Sequence, residues 1–173
     1  MKNLLACILL GCAMSLRAAD EKPAAPASPL APVASLVGGL WVAELPPQGN
    51  NAPMKLEARF EWTENHQAVR FESAFVQAGK RSPYTSGIYV WNPAKQKIAI
   101  VYTDFSGSLT EGLITLEGQV LENELTLTHA DGKAEPVRVR LTKSGADGFT
   151  NEIFVQKDGA MVPFITVKYL RGN

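Results

Sequence analysis

Two histidines, His66 and His129, are the whole imidazole complement of the sequence. They bound its acid–base chemistry. His66 lies in Glu64-Asn65-His66-Gln67, close to Glu61. An imidazole among acids can ligate a metal or take a proton. A structural metal site wants three or four converging ligands, so a solvated turn residue is the simpler reading and no metal is expected. His129 follows Leu125 and Leu127 at two-residue spacing, which on a strand puts all three on one face. It is expected inward, near a rim, where it would bind a head group, act as a base, or simply be held by a neighbour. Glu111 shares its phase with Leu109 and Leu113 and is also expected inward. A carboxylate there needs a cation, a proton or a ligand donor. Lys168, in phase with Phe164 and Leu170, is a candidate partner. A bulge near Gly107 or Gly112 would instead turn Glu111 outward.

Asp104, Ser106 and Ser108 cluster in one short segment. Serine beside aspartate makes a nucleophile only with a histidine in reach. The glycine spacing there fits a hairpin rather than a phosphate loop, because no helix follows it. Asp131-Gly132, Asp147-Gly148 and Asp158-Gly159 lack the alternating oxygen ligands of a calcium loop. Both cysteines, Cys7 and Cys12, lie in the first nineteen residues. No catalytic residue and no cofactor are expected.

Residues 1–19 carry Lys2, then an apolar stretch from Leu4 to Leu16, then small residues around Ala18. This is the pattern of a secretory signal, too short to span a bilayer. Export to the periplasm or cell envelope is expected, with no membrane span in the mature chain. Leu9-Leu10-Gly11-Cys12 resembles a lipoprotein box, which would leave Cys12 lipidated. The apolar stretch continuing past Cys12 favours soluble export, and both outcomes stay open. Without Lys2 and Arg17, the seventeen basic residues fall to fifteen, against seventeen acidic. That balance argues against a nucleic-acid partner. Residues 20–35 hold Pro23, Pro26, Pro29, Pro32 and five alanines, and are expected to form a disordered linker.

Residues 36–173 are expected to form one all-β domain. Leu56, Ala58, Phe60 and Trp62 alternate with Lys55, Glu57, Arg59 and Glu61, as a half-buried strand requires. Val69, Phe71 and Phe75 repeat the pattern, as do Val137, Val139 and Leu141. Strands are expected at 39–45, 54–64, 67–77, 84–92, 96–104, 108–118, 123–130, 135–143, 148–156 and 161–171. Turns are expected at the three Asp-Gly pairs and, more loosely, at Glu122-Asn123 and Asn92-Pro93. Ten strands joined by short loops give an antiparallel up-and-down meander. Closing it into a barrel removes its edges.

Gly39-Leu40-Trp41 on the first strand, Gly87-Ile88-Tyr89-Val90-Trp91 in mid-chain and Tyr169-Leu170-Arg171 at the end form a pattern. It resembles the calycin barrels, the lipocalins and fatty-acid-binding proteins, and most nearly exported bacterial lipocalin-like domains of uncharacterised function. The resemblance covers roughly residues 36–173 and implies a barrel with a cavity. It implies a structural pair, Trp41 beneath Arg171, closing one end. Three departures stand out. The connection from Pro46 to Pro53 is too short and proline-rich for the helical lid of fatty-acid-binding proteins. No helix follows the last strand. The ten-stranded haem-binding barrels resembling nitrobindin use a late histidine, and none follows His129.

Phe60, Trp62, Phe71 and Phe75 share inward faces, and Tyr102 follows Ile98 and Ile100. Ser73, Gln77 and Asn151 are polar residues in the same phase. An apolar lining with a few polar anchors suits a small lipophilic molecule. The expected ligand-binding set is therefore Phe60, Trp62, Phe71, Ser73, Phe75, Gln77, Tyr102, Glu111, His129 and Asn151. The expected function is non-enzymatic binding inside the barrel. Residues 87–91 are apolar on both faces. If Tyr89 and Trp91 point outward, an interaction module with a filled barrel is the alternative. An isomerase or cyclase would need His129 or Glu111 inside the cavity with a shifted pKa.

Overall fold

The computed structural model describes residues 28–46 and 52–172. Ten antiparallel strands close into an up-and-down barrel in which each strand pairs with its chain neighbours and β1 pairs with β10. The strands are β1 (Trp41–Leu45), β2 (Met54–Trp62), β3 (Ala68–Gln77), β4 (Lys80–Asn92), β5 (Lys97–Asp104), β6 (Leu109–Glu117), β7 (Val120–Thr128), β8 (Ala134–Lys143), β9 (Gly148–Lys157) and β10 (Ala160–Arg171). Among the described residues, no helix is long and apolar enough to cross a membrane.

Alternation sets which side chains go in. On β2, Leu56, Ala58 and Phe60 are buried while Lys55, Arg59 and Glu61 are exposed. They meet Phe75, Ser73 and Phe71 on β3 in register. Primed hairpin turns supply the reversals. Asp158 and Gly159 have φ of 52° and 82°, and Ala78 and Gly79 have 48° and 76°. Both positions positive is the geometry whose twist matches the flanking strands.

Three expectations need correcting. Glu122 and Asn123 are not a turn: β7 begins at Val120, and the reversal falls at Gly118-Gln119 between paired Glu117 and Val120. Asn123 sits comfortably in a strand because its amide Nδ2 donates to the carbonyls of Leu121 and Val139. Gly148 opens β9, and the turn before it uses Gly145, with φ of 80°.

The third correction concerns the expected linker at 20–35. Its described end, from Ser28, is ordered. A single helical turn, α1 (Ala31–Ala34), starts with proline in its first turn, where the missing N–H costs nothing. Leu30, Val33 and Leu36 are buried in the core cluster. A composition-based reading misses three apolar residues spaced i, i+3, i+6, which fall on one side of a short helical turn. This plug closes the Trp41 end of the barrel. Residues 1–27, and with them the signal and Cys12, lie outside the described residues.

The closed end is built around Trp41, 1% exposed. Its Nε1 donates to the Leu36 carbonyl at 2.7 Å. The Arg171 guanidinium lies 4.3 Å from its ring centroid, and the two residues are partners across the β1–β10 seam. Arg171 also donates through Nη1 to the Gly38 carbonyl and pairs with Asp147 at 3.4 Å. A guanidinium suits this position because it can stack on an indole and still donate in its plane.

Candidate functional site

Above this floor the barrel encloses a cavity of about 250 Å³ that opens at the opposite end. Aromatic rings pave its lower part. Phe149 meets Trp41 edge-on at 4.9 Å and stacks on Tyr169 at 4.6 Å. Phe71 packs against Phe60 at 5.9 Å, Tyr89 at 5.0 Å and Tyr102 at 5.8 Å. Leu121, Leu125, Val139, Leu141, Ile153 and Val167 supply the aliphatic wall.

Two irregularities shape the mouth. Pairing between β3 and β4 runs Ser73↔Thr85 and then Ala74↔Pro83, so Tyr84 is an extra residue. Pairing between β9 and β10 jumps from Pro163↔Phe154 to Ile165↔Ile153, so Phe164 is extra. A bulge lets two adjacent residues face the same side. Tyr84 with Thr85, and Phe164 with Ile165, all line the cavity. Tyr84 packs at a tilt against Phe75 at 4.4 Å and reaches Phe105 at 5.9 Å. Phe105 and Phe164 are 74% and 70% exposed, on hairpins from opposite sides of the barrel.

Phe60, Phe71, Ser73, Phe75, Tyr102 and Asn151 all line the cavity. Four other expected residues do not. Trp62 lies at the closed end and packs at a tilt against exposed His66 at 5.7 Å. Gln77 ends β3 beyond the interior, and its Nε2 donates to the Ala52 carbonyl at 2.9 Å. His129 is a mouth-end residue whose Nε2 is 3.0 Å from Glu135 Oε1, outside the lining. Glu111 is exposed on the outer face. The inward set of β6 is Thr110, Gly112 and Ile114, opposite Tyr102, Ile100 and Ile98 of β5. Leu109 and Leu113 therefore face outward, and a Cβ at inward Gly112 would collide with the β7 backbone at Glu124. Lys168 is likewise exposed, since the inward residues of β10 near it are Val167 and Tyr169.

Tyr89 is buried and lines the cavity, and Trp91 packs against the same core. Neither ring therefore forms an outward patch, and the barrel encloses the cavity described above. The acid–base residues expected to mark an enzyme, His129 and Glu111, lie outside the cavity. Asp104 is pushed up by burial, but donation from Ser106 and Ser108 outweighs it and holds the carboxyl below its ordinary range. That cluster staples the β5–β6 turn. Among the described residues, no group of acids, histidines or cysteines could hold a metal.

Gly87 is what admits Tyr102. A Cβ there would collide with the Tyr102 side chain and the Val101 carbonyl. Gly87→Ala is expected to push Tyr102 off Phe71 and cost about 1–3 kcal/mol by overpacking. Denaturant unfolding measures this, and an unchanged midpoint would contradict the close approach.

Sequence reasoning left the direction of Tyr89 open and missed Tyr84, Phe149, Phe164 and Tyr169. The last two belong to a strand whose phase changes at the bulge, which no fixed period can follow. Burial raises the phenol pKa of Tyr89 and Tyr169 well above the ordinary 10.0, with neighbouring tyrosines adding to the effect. Below pH 10 both states hold the proton. Above it the unfolded chain releases the proton and the folded one does not. Stability is expected to fall by about 1.4 kcal/mol per pH unit for each such tyrosine. Alkaline unfolding followed by tyrosinate absorbance tests this, and early ionisation of all phenols without unfolding would refute it.

The polar groups of the lining are few. Ser73 and Thr85 hydroxyls bond each other at 2.6 Å. Asn123 spends both amide protons on backbone carbonyls. Asn151 Oδ1 is buried with no hydrogen-bond partner. None of the described lining residues is acidic, basic or histidine.

No family model matches the chain, and no curated protein matches it. Among solved structures, the crystal structure of Rv2717c from M. tuberculosis is similar in fold. It is 16% identical with a TM-score of 0.55, over 86% of this chain and 99% of that one. At that identity the likeness extends to the fold, a closed ten-stranded antiparallel barrel.

Proposed function

We propose that this barrel is of the calycin type and binds a small lipophilic molecule in its interior, without chemistry. The observation that carries the reading is the cavity of about 250 Å³, walled by aromatic and aliphatic side chains and open at one end. Burial there stabilises a ligand by about 25 cal/mol per Å² of apolar surface. The Trp41–Arg171 stack supports the calycin assignment, because it closes the far end and leaves one entrance. The export pattern of residues 1–19 supports a location in the periplasm or envelope. Unchanged fractionation of Cys12→Ser would assign it there as a soluble protein rather than a lipid-anchored one.

Mass spectrometry of an organic extract tests the binding reading, using protein purified from its own envelope without detergent. A stoichiometric lipophile is the expected result. An extract that stays empty after incubation with envelope lipids would overturn it.

A further inference from the structure

The outer wall of the barrel changes character over β4, β5 and β6. On β2 the outward residues are Lys55, Glu57, Arg59 and Glu61, as befits a face in water. Tyr89 of β4 and Ile100 of β5 line the cavity, so Ile88, Val90, Ala99 and Val101, beside them in sequence, face outward. Leu113 of β6 faces outward too, next to buried Ile114. Val90 and Val101 are each 39% exposed. Register brings these side chains together. Ile88 pairs with Val101, Val90 pairs with Ala99, and Ala99 pairs with Leu113. They form one apolar patch on the side of the barrel, away from the mouth.

Charges of opposite sign end one row of that patch. Arg70 of β3 pairs with Ile88, and Glu111 of β6 pairs with Val101. Across four strands the row reads Arg70, Ile88, Val101, Glu111. Arg70 donates through Nη2 to Glu61 at 2.9 Å, which leaves other guanidinium N–H groups to donate. Among the described residues Glu111 makes no ion pair.

A row with opposite charges at its ends is complementary to its own reverse. A twofold axis parallel to the strands, between β4 and β5, would set two such patches face to face with their strands aligned. Arg70 of each copy then meets Glu111 of the other. Ile88 meets Val101, and Val90 meets the smaller Ala99. Glu61, beyond Arg70 in the row, meets Thr126, beyond Glu111, so no like charges oppose each other along it. An axis running across the strands would instead set Arg70 against Arg70 and Glu111 against Glu111. A lipid surface would cover the apolar side chains but desolvate Glu111 without a cation.

We propose that this patch is an isologous interface between two copies of the chain. The inference is independent of ligand binding, because an interface on the side wall leaves the mouth open. The patch is small, so a weak dimer is expected, with a dissociation constant of about 10–100 µM.

Sedimentation velocity of the purified protein, from about 1 to 500 µM, spans that range. The weight-average mass is expected to climb from one chain toward two. Val101→Lys places an ammonium against Ile88 of the second copy and is expected to weaken association about a hundredfold. Glu111→Arg sets like charges together at both ends of the row and is expected to weaken it about tenfold, and adding Arg70→Glu to the same chain is expected to restore it. All three positions are exposed, and an unchanged denaturant midpoint shows that each variant folds. A wild type that stays monomeric throughout overturns the proposal. Flotation with phosphatidylethanolamine–phosphatidylglycerol vesicles would then tell a lipid surface from a different protein as the occupant. A dimer that tolerates Val101→Lys overturns it as well, by placing the contact elsewhere. A charge reversal that the second reversal fails to rescue overturns the twofold arrangement.

Discussion

Trp41→Ala is expected to lower the unfolding free energy by about 4 kcal/mol, the loss typical of a large aromatic removed from a core. The residue does three things at once. Its ring packs on Phe149, its face supports Arg171, and its indole nitrogen satisfies the Leu36 carbonyl at the end of the plug. A domain with about 5–15 kcal/mol in total cannot lose that much and keep a wide margin. Trp41→Phe separates the contributions. It keeps a ring and loses the hydrogen bond, so a loss of about 1 kcal/mol is expected from that bond, plus whatever the smaller ring forfeits. Denaturant melts of both variants provide the measurement. If alanine costs under about 1 kcal/mol, in the range of ordinary surface changes, the closed end is not where the barrel is held.

Val139→Trp is expected to abolish ligand binding, with affinity for N-phenylnaphthylamine falling about a hundredfold, or 2.7 kcal/mol. Val139 faces the interior between Asn123 and Ile153, so a larger side chain enters the 250 Å³ space that a ligand would use. A filled cavity does not imply an unfolded protein. Overpacking a tight core costs about 1–3 kcal/mol, and here open space absorbs part of it. The diagnostic outcome is a folded barrel that no longer takes up the fluorophore. A folded variant with undiminished uptake would place binding elsewhere on the molecule.

Much of the barrel was legible because its strands obey one simple rule. The charged–apolar alternation of residues 54–62 matches the observed burial of Leu56, Ala58 and Phe60. The terminal signature put Trp41 beside Arg171. The failures occur where the rule depends on a neighbour. Glu111 was read by its own strand, where Leu109 and Leu113 suggested the wrong face; the inward phase is Thr110, Gly112 and Ile114, paired with Tyr102, Ile100 and Ile98. Tyr84 and Phe164 reach the mouth through bulges, and a single inserted residue leaves no mark in composition. The plug shows a different limit. Leu30 and Val33 sit in a proline- and alanine-rich stretch that reads as a spacer, and their burial depends on an open barrel end that exists only after ten strands have closed. The candidate site was half legible for the same reasons: residues such as Phe60, Phe71 and Asn151 on regular strands were found, those on bulges, rims and an inverted strand were not, and Phe149, in phase with Asn151, was overlooked.

The short first strand has a consequence for how the molecule comes together. β1 and β10 are joined by two register pairs, Trp41↔Arg171 and Val42↔Leu170, whereas β2 and β3 share nine. All other neighbours are consecutive hairpins that can zip locally. This seam alone joins the two ends of the domain, so it carries the highest loop-closure entropy and the least ladder to offset it. It should therefore form late in folding and open early in native-state fluctuations. Amide protons along β1 and the end of β10 would then exchange with solvent sooner than those of β7 and β8. An opened seam also exposes the long edge of β10 to a second chain. The stack of Trp41 under Arg171 and the helical plug thus act as a latch against strand exchange as well as a floor for the cavity.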